Sequence, residues 1–357
     1  MIQRPLFPLV KPSFQTELRK RVDAYFKDNN INPTGNWKVY LKTGIIAITF
    51  IATYATIVFF EPGTAMSIAL CMFLGLGVAA IGFNIMHDGA HGSYSKSPFI
   101  NQLAASSLDL MGASSSLWKI KHNVIHHTYT NIDDFDDDIN IGPWIRVTTS
   151  QKKRFFHKFQ HIYFIFFYSL LHLFWISVTD FKKFFGKKIG SIPIKKFGWK
   201  EHLSLWGSKA LFIGLFIIIP IHMKGLMPFL AGFFIFSCTI GISLSLVFQL
   251  AHVVETTAFP EADKITHKME DEWTVHQLKT TANFATKNKI ITWFTGGLNY
   301  QIEHHLFPKV SHIHYPAISQ IVKQASADFG LVYNEYKTMI SALLAHINQL
   351  KKIGAAA

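Results

Sequence analysis

Histidine carries the chemistry this sequence has to offer. Three clusters stand out: His87-Asp-Gly-Ala-His91, His122-Asn-Val-Ile-His126-His127 and Gln301-Ile-Glu-His304-His305, with a lone His252 at the end of a long apolar run. On a helix, residues four apart share a face, so His87 and His91 are placed to grip one metal, as are His122 and His126. An adjacent residue is turned by about 100°. His127 and His305 therefore point elsewhere than their neighbours, and such a double histidine serves two neighbouring metals. Eight histidines shared by two metals give about four nitrogens each.

The donor set narrows the metal. Cys71 and Cys238 are the only cysteines, both inside apolar runs, which leaves neither a disulfide framework nor a zinc–thiolate site. Closed tetrahedral zinc leaves no open position, whereas many imidazoles without thiolate suit redox iron with room for O2. Metal-bound imidazoles need partners on their second nitrogen. Asp88, Asp133, Asp134, Asp136, Asp137, Asp138 and Glu303 are the carboxylates in reach by sequence; the 133–138 run reads equally well as a solvated acidic loop. Taken singly, His157, His161, His172, His202 and His346 read as packed or surface side chains. His267, His276, His312 and His314 fall between the two readings, with His276 a candidate to support a ligand.

Such a site needs elements that bring residues 87, 122, 252 and 304 together. Hydrophobic residues make up 49% of the 357 and charged ones 16%, too apolar for an ordinary soluble chain. Runs at 43–60, 64–86, 203–223 and 225–251 are long enough to cross a bilayer. The Glu61-Pro62-Gly63 turn joins the first two into a hairpin, and the region of Lys224 and Gly225 joins the last two. The runs 100–118 and 162–179 read as interfacial or re-entrant helices. A crossing at 162–179 would put Lys182, Lys183, Lys187, Lys188, Lys195, Lys196 and Lys200 on the outer side, against the positive-inside rule. The expected architecture is all-α and integral to the membrane, with four transmembrane helices in two hairpins. One domain over 1–357 is expected, with a cytosolic helical cap of 87–160, 180–202 and 252–350 holding a two-metal site. The net charge of +13 flanks apolar runs, which favours anionic lipid headgroups over nucleic acid. Residues 1–42 are basic without an apolar core, so no cleavable signal is expected, and the 354–357 tail reads as disordered.

The clusters, read as HDGAHGS, HNVIHHTYTN and NYQIEHHLFP, resemble the three histidine boxes of membrane fatty-acid desaturases over roughly residues 40–330. The stretch Trp273–Ala285 and Gly296-Gly297-Leu298 add to the resemblance. It is closest to front-end acyl desaturases, whose third box begins with Gln. The resemblance implies ligand roles for His87, His91, His122, His126, His127, His252, His304 and His305, with Gln301 where a ninth histidine would stand. It implies two Fe ions, O2 as co-substrate, an acyl-CoA or acyl-lipid substrate, and a cis double bond as product. The His-Pro-Gly-Gly signature of a fused cytochrome does not occur in the sequence. Electrons are therefore expected from a separate carrier, a ferredoxin or small cytochrome. The membrane would be a bacterial inner membrane or of ER type, with termini and active site cytosolic.

Two other functions fit parts of the pattern. A lipid hydroxylase or ketolase uses the same scaffold and differs in product. A metal transporter would place its ligands at mid-membrane; here the first two apolar runs hold no charge and no histidine until residue 87.

Overall fold

A computed structural model describes residues 4–11, 13–194 and 197–356. Lys195 and Lys196 of the predicted cytosolic lysine group lie outside the described residues, as does Ala357 of the tail. The chain is mostly helical. We label α1 Phe14–Asp28, α2 Trp37–Phe59, α3 Thr64–His91, α4 (115–129), α5 Phe155–Ser169, α6 Leu171–Gly186, α7 Trp199–Lys224, α8 Leu226–His252, α9 Trp273–Thr280, α10 Gln301–Leu306, α11 Tyr315–Asp328 and α12 Met339–Ala355.

Four of these, α2, α3, α7 and α8, are long and apolar enough to cross a membrane, with mean hydropathies of 1.7, 2.2, 1.8 and 2.1. They match the four expected runs, each extended by a few polar residues. Ile45, Ile48 and Ile51 on α2 are exposed, as lipid-facing side chains are. α3 packs against both α2 and α8. Gly75 sets the approach to α8: a Cβ there would lie 2.8 Å from the Phe236 carbonyl oxygen and from Thr239 Cβ, so only glycine fits the crossing.

α5 and α6 meet at Leu170 in a 58° bend rather than as one straight helix over 162–179. The bend lies against Gly241 of α8, where a Cβ would meet the Ser169 and Tyr168 carbonyls at 2.4 and 2.6 Å. The 100–118 run is likewise broken, into Pro98–Ala105, Ser107–Leu110 and the start of α4. Lys209, the charge that interrupts the third apolar run, bonds Asp180 at 3.0 Å and the Gly112 carbonyl at 2.6 Å. Asp180 also accepts from Ser114 N–H and Trp175 Nε1, so this buried pair ties α6, α7 and the start of α4 together.

The polar segments build a second core of their own. Phe14, Leu18, Val22 and Phe26 recur every four residues and bury one face of α1 against Ile318 and Val322 of α11 and Ile302 and Leu306 of α10. The basic N-terminal stretch therefore contributes a packed helix to the part the sequence assigned to 252–350. The tail is helical to Ala355 rather than disordered, because Gly354 sits against the His157 carbonyl and Arg146 binds the Ile353 and Ala356 carbonyls.

Candidate metal centre

Each histidine cluster sits where a helix is wound unusually or ends. In α3 the turn Gly82–Met86 is π-helical, and the helix stops after His91 at Gly92, which takes φ 75° as a left-handed C-cap. In α4 the π-helical stretch Ile120–His126 holds the second cluster. His252 is the last residue of α8. His304 and His305 lie on α10, whose six residues are all buried.

Ligand atoms of His87, His91, His122 and His304 lie within 4.8 Å of one another, and so do those of His126, His252 and His305. His127 meets His304 and His305 in a third such set and links the two. All eight predicted histidines therefore converge from α3, α4, α8 and α10. The pairing within α4 goes beyond the expected one. Bonding from i to i+5 brings His122 and His127 together, with Nε2 atoms 3.3 Å apart. His122 turns toward His87, 3.2 Å away, while His126 joins His252 and His305. The expected four-residue pair is kept as well: His122 and His126 meet in a fourth such set with Asp138.

Six of these rings carry a buried nitrogen without a hydrogen-bond partner: Nε2 of His91, His126, His252, His304 and His305, and Nδ1 of His127. Orphaned buried polar atoms are uncommon in folded proteins, and a group of them facing each other fits divalent cations. Burial, joined by neighbouring imidazoles, holds His127, His304 and His305 well below the ordinary histidine value, and burial brings His122 down to about 4. These rings are neutral donors at neutral pH. His126 differs: burial lowers it, but the charge and hydrogen bond of Asp136 outweigh burial and raise it.

The opposite nitrogens are held by fixed partners. His126 Nδ1 bonds Asp136 at 3.0 Å, His305 Nδ1 the Gln277 Oε1 at 2.8 Å, His304 Nδ1 the Tyr315 hydroxyl at 3.2 Å, and His252 Nδ1 the Thr280 carbonyl at 3.3 Å. Of the carboxylates named from sequence, Asp136 bonds a box histidine, and Asp138 lies 3.8 Å from His126 and 4.0 Å from His122, in one set with both, while pairing with Lys121. Asp137 pairs with Lys183 and Asp133 bonds Ser150. Asp88 holds His312 at 2.8 Å, and Glu303 turns away to Asn283 and Tyr333, its carboxyl pushed by burial to about 7. His276 donates to or accepts from no cluster ring; it bonds the Thr130 carbonyl at 2.8 Å. Gln277, Tyr315 and Thr280 escaped the sequence reading. Gln277 lies in the Trp273–Ala285 stretch, which carried resemblance without an assigned role.

A cavity of about 280 Å³ runs past the cluster. His87, His122, Trp118 and Gln301 line it at one end, Lys121, Asp137, Asp138, Asn140 and Lys183 form a polar flank, and Val78, Ile81, Met111, Leu171 and Ile240 line an apolar limb. Gln301 thus faces the same space as His87 and His122. Trp118 stacks on His122 at 4.3 Å.

A family profile described as fatty acid desaturase matches residues 63–337. The chain is 40% identical to an sn-1 linoleoyl-lipid 6-desaturase of Arthrospira platensis, over 95% of this chain and 92% of that protein. It is 35% identical to a protein of the same name from Synechocystis sp., over 97% of each. It is 37% identical to an acyl-lipid (8-3)-desaturase of Physcomitrium patens, over 96% of this chain and 72% of that one.

Proposed function

The chain belongs to the fatty acid desaturase family, and from that premise we propose that it places a cis double bond at position 6 of an unsaturated acyl chain carried by a membrane lipid. That it is a fatty-acyl desaturase of the membrane follows from its family and its four apolar helices. The position and the lipid carrier rest on the names of two relatives. The observation that supports the reading most directly is the cavity: an apolar limb opens beside His87, His122 and Gln301. An acyl chain lying there presents methylene carbons to the histidine cluster.

The eight histidines are proposed as ligands of two irons, His87, His91, His122 and His304 for one, His126, His252 and His305 for the other, with His127 between. Bound there, iron supplies the oxidising power to take two hydrogens from adjacent methylenes while O2 is reduced to two waters, which no side chain can do. Two electrons and two protons complete the balance, the electrons from a separate carrier. The chain's own residues do the rest. Asp136, Gln277, Tyr315 and the Thr280 carbonyl hold the rings in one orientation. The apolar limb binds and straightens the substrate and keeps water out. Gln301 offers an amide to whatever occupies the space beside His87. The spans are proposed as two hairpins with the termini and the metal centre on the cytosolic side; labelling of a cysteine at position 188 from the outer side contradicts this.

Expression in a host of defined fatty-acid composition, with mass-spectrometric location of new double bonds, tests the reading. A new alkene at position 6 is expected. An alcohol or ketone in its place, or one zinc and no iron in an active preparation, overturns it.

A further inference from the structure

At the far end of the acyl cavity stands a group that neither the metal centre nor the packing uses. His172, second residue of α6, is 3% exposed and lines the cavity beside Met111, Leu171 and Ile240. Its ring meets Phe212 and Phe236 edge-on at 6.0 and 5.9 Å. The Met111 carbonyl lies beside it, yet neither ring nitrogen makes a hydrogen bond of normal geometry. Ile240 and Phe236 precede His252 on α8 by 12 and 16 residues, roughly 18–24 Å of helix. His172 therefore lies deep in the limb, at the end remote from the metal centre. Gln249, whose Oε1 is also buried and unpartnered along this cavity, is one turn from His252 and belongs to the reacting end.

An imidazole in an apolar tube is costly to retain. A saturated chain end filling the limb removes any water and leaves the N–H of His172 only the poorly aligned Met111 carbonyl. A cis double bond at that depth offers its π face to the N–H, as an aromatic ring does. We propose that His172 is a specificity-determining residue that reads unsaturation near the methyl end of the acyl substrate by donating an N–H to the π face of a double bond. The assignment rests on the reading of the chain as an acyl-lipid desaturase acting at the other end of the same cavity.

The test uses the full-length enzyme in membranes, supplied in competition with two acyl chains of equal length that differ by one cis double bond near the methyl end. Wild type should convert the more unsaturated chain about two- to five-fold faster, the worth of one N–H···π contact. His172→Leu, which fills the space without a donor, should bring the ratio to about one, mainly by speeding the chain with the saturated end. His172→Gln, which keeps an N–H, should retain part of the preference. A ratio unchanged in His172→Leu overturns the assignment. So does an equal loss on both chains, which is what a merely structural histidine would give. Absence of any new double bond with wild type on either chain fells the functional reading itself, and the assignment with it.

Discussion

The side chains that aim the ligands decide how well the metal centre forms, and two amides separate aiming from reacting. Gln277 Oε1 accepts a hydrogen bond from His305 Nδ1–H and another from Thr130, while its Nε2 donates to the His127 carbonyl. Gln277→Leu removes the acceptor and leaves His305 free to turn; metal content should fall with activity, by about 10–100-fold in affinity or rate. Gln301 makes no such bond to a box histidine and faces the cavity, so Gln301→Leu should cut turnover strongly while iron is largely kept, and Gln301→His should keep at least as much iron. Equal iron loss in both leucine variants would refute the division of roles. A third side chain gives a pH test. Burial brings His346 to about 4, its bond to the Val253 carbonyl offsetting only part of that. Between about 6.5 and 4 the unfolded chain then binds the extra proton, so stability is complete above 6.5 and falls as pH drops toward 4, by about 3 kcal/mol at the acid end. Melts of metal-free protein should show a shallower acid slope for His346→Gln than for wild type. Seven of the eight histidines were legible because residue type and clustering are local; the lone His252 was placed with them by the apolar run it ends. Their partners were not: Gln277, Tyr315 and a backbone carbonyl reach the rings from distant segments, and every residue has a carbonyl. His346, read from sequence as packed or surface, is packed, bonding the Tyr168 hydroxyl and the Val253 carbonyl.

Helical winding sets which histidine meets which. The π-helical stretch Ile120–His126 brings residues five apart onto one face, and so sets His127 beside His122 while His122 also reaches His87 and His126 reaches His252 and His305. Val124 in this stretch points outward and is exposed, so deleting it removes little packing. The deletion should let the segment relax to an α-helix and rotate His126 and His127 by about 100° against His122. Membrane insertion should persist, since the spans satisfy their own backbones, while bound metal is lost. Full metal content in that variant would show that winding does not choose the ligands. No residue in this stretch announces a π turn, and a period of 3.6 is what hydrophobic spacing reports, so the His122–His126 pair was legible and the His122–His127 contact was not. The spans were legible to within a few residues because an unbroken apolar run has one use in a chain this hydrophobic. The bend at Leu170 was not, since its cause is Gly241 on α8, about seventy residues away. α1 escaped for a different reason: its four buried residues are spaced widely among lysines and arginines, and its partner face on α11 lies at the other end of the chain.

Over the whole molecule, net charge bears on how the proposed carrier would meet a histidine cluster this deeply buried. Segments from residue 87 to residue 305 close around the metal centre, and its rings are 7% exposed or less apart from His91. The separate electron carrier proposed above would dock on the surface and deliver electrons through the packed protein around these rings. The chain carries 35 Lys and Arg against 22 Asp and Glu, a net of +13. Several of the acids near the centre are already neutralised: Asp137 by Lys183, Asp138 by Lys121, Asp180 by Lys209. What remains for a partner or a membrane to meet is positive. If that charge faces the cytosol, as the lysines between 182 and 200 require, it favours anionic headgroups and an acidic electron carrier on the same side. Encounter between opposite charges speeds association and is screened over a Debye length, about 8 Å at physiological salt. With an acidic ferredoxin as donor, raising the ionic strength from tens to hundreds of millimolar should slow turnover several-fold at limiting carrier, and excess carrier should restore it. The carrier concentration for half-maximal rate should rise while the maximal rate holds, which separates weakened docking from damage to the active site. A maximal rate that falls with salt while half-saturation stays fixed would place the salt effect after docking, and turnover indifferent to salt would mean that electrons enter through a contact that is not electrostatic.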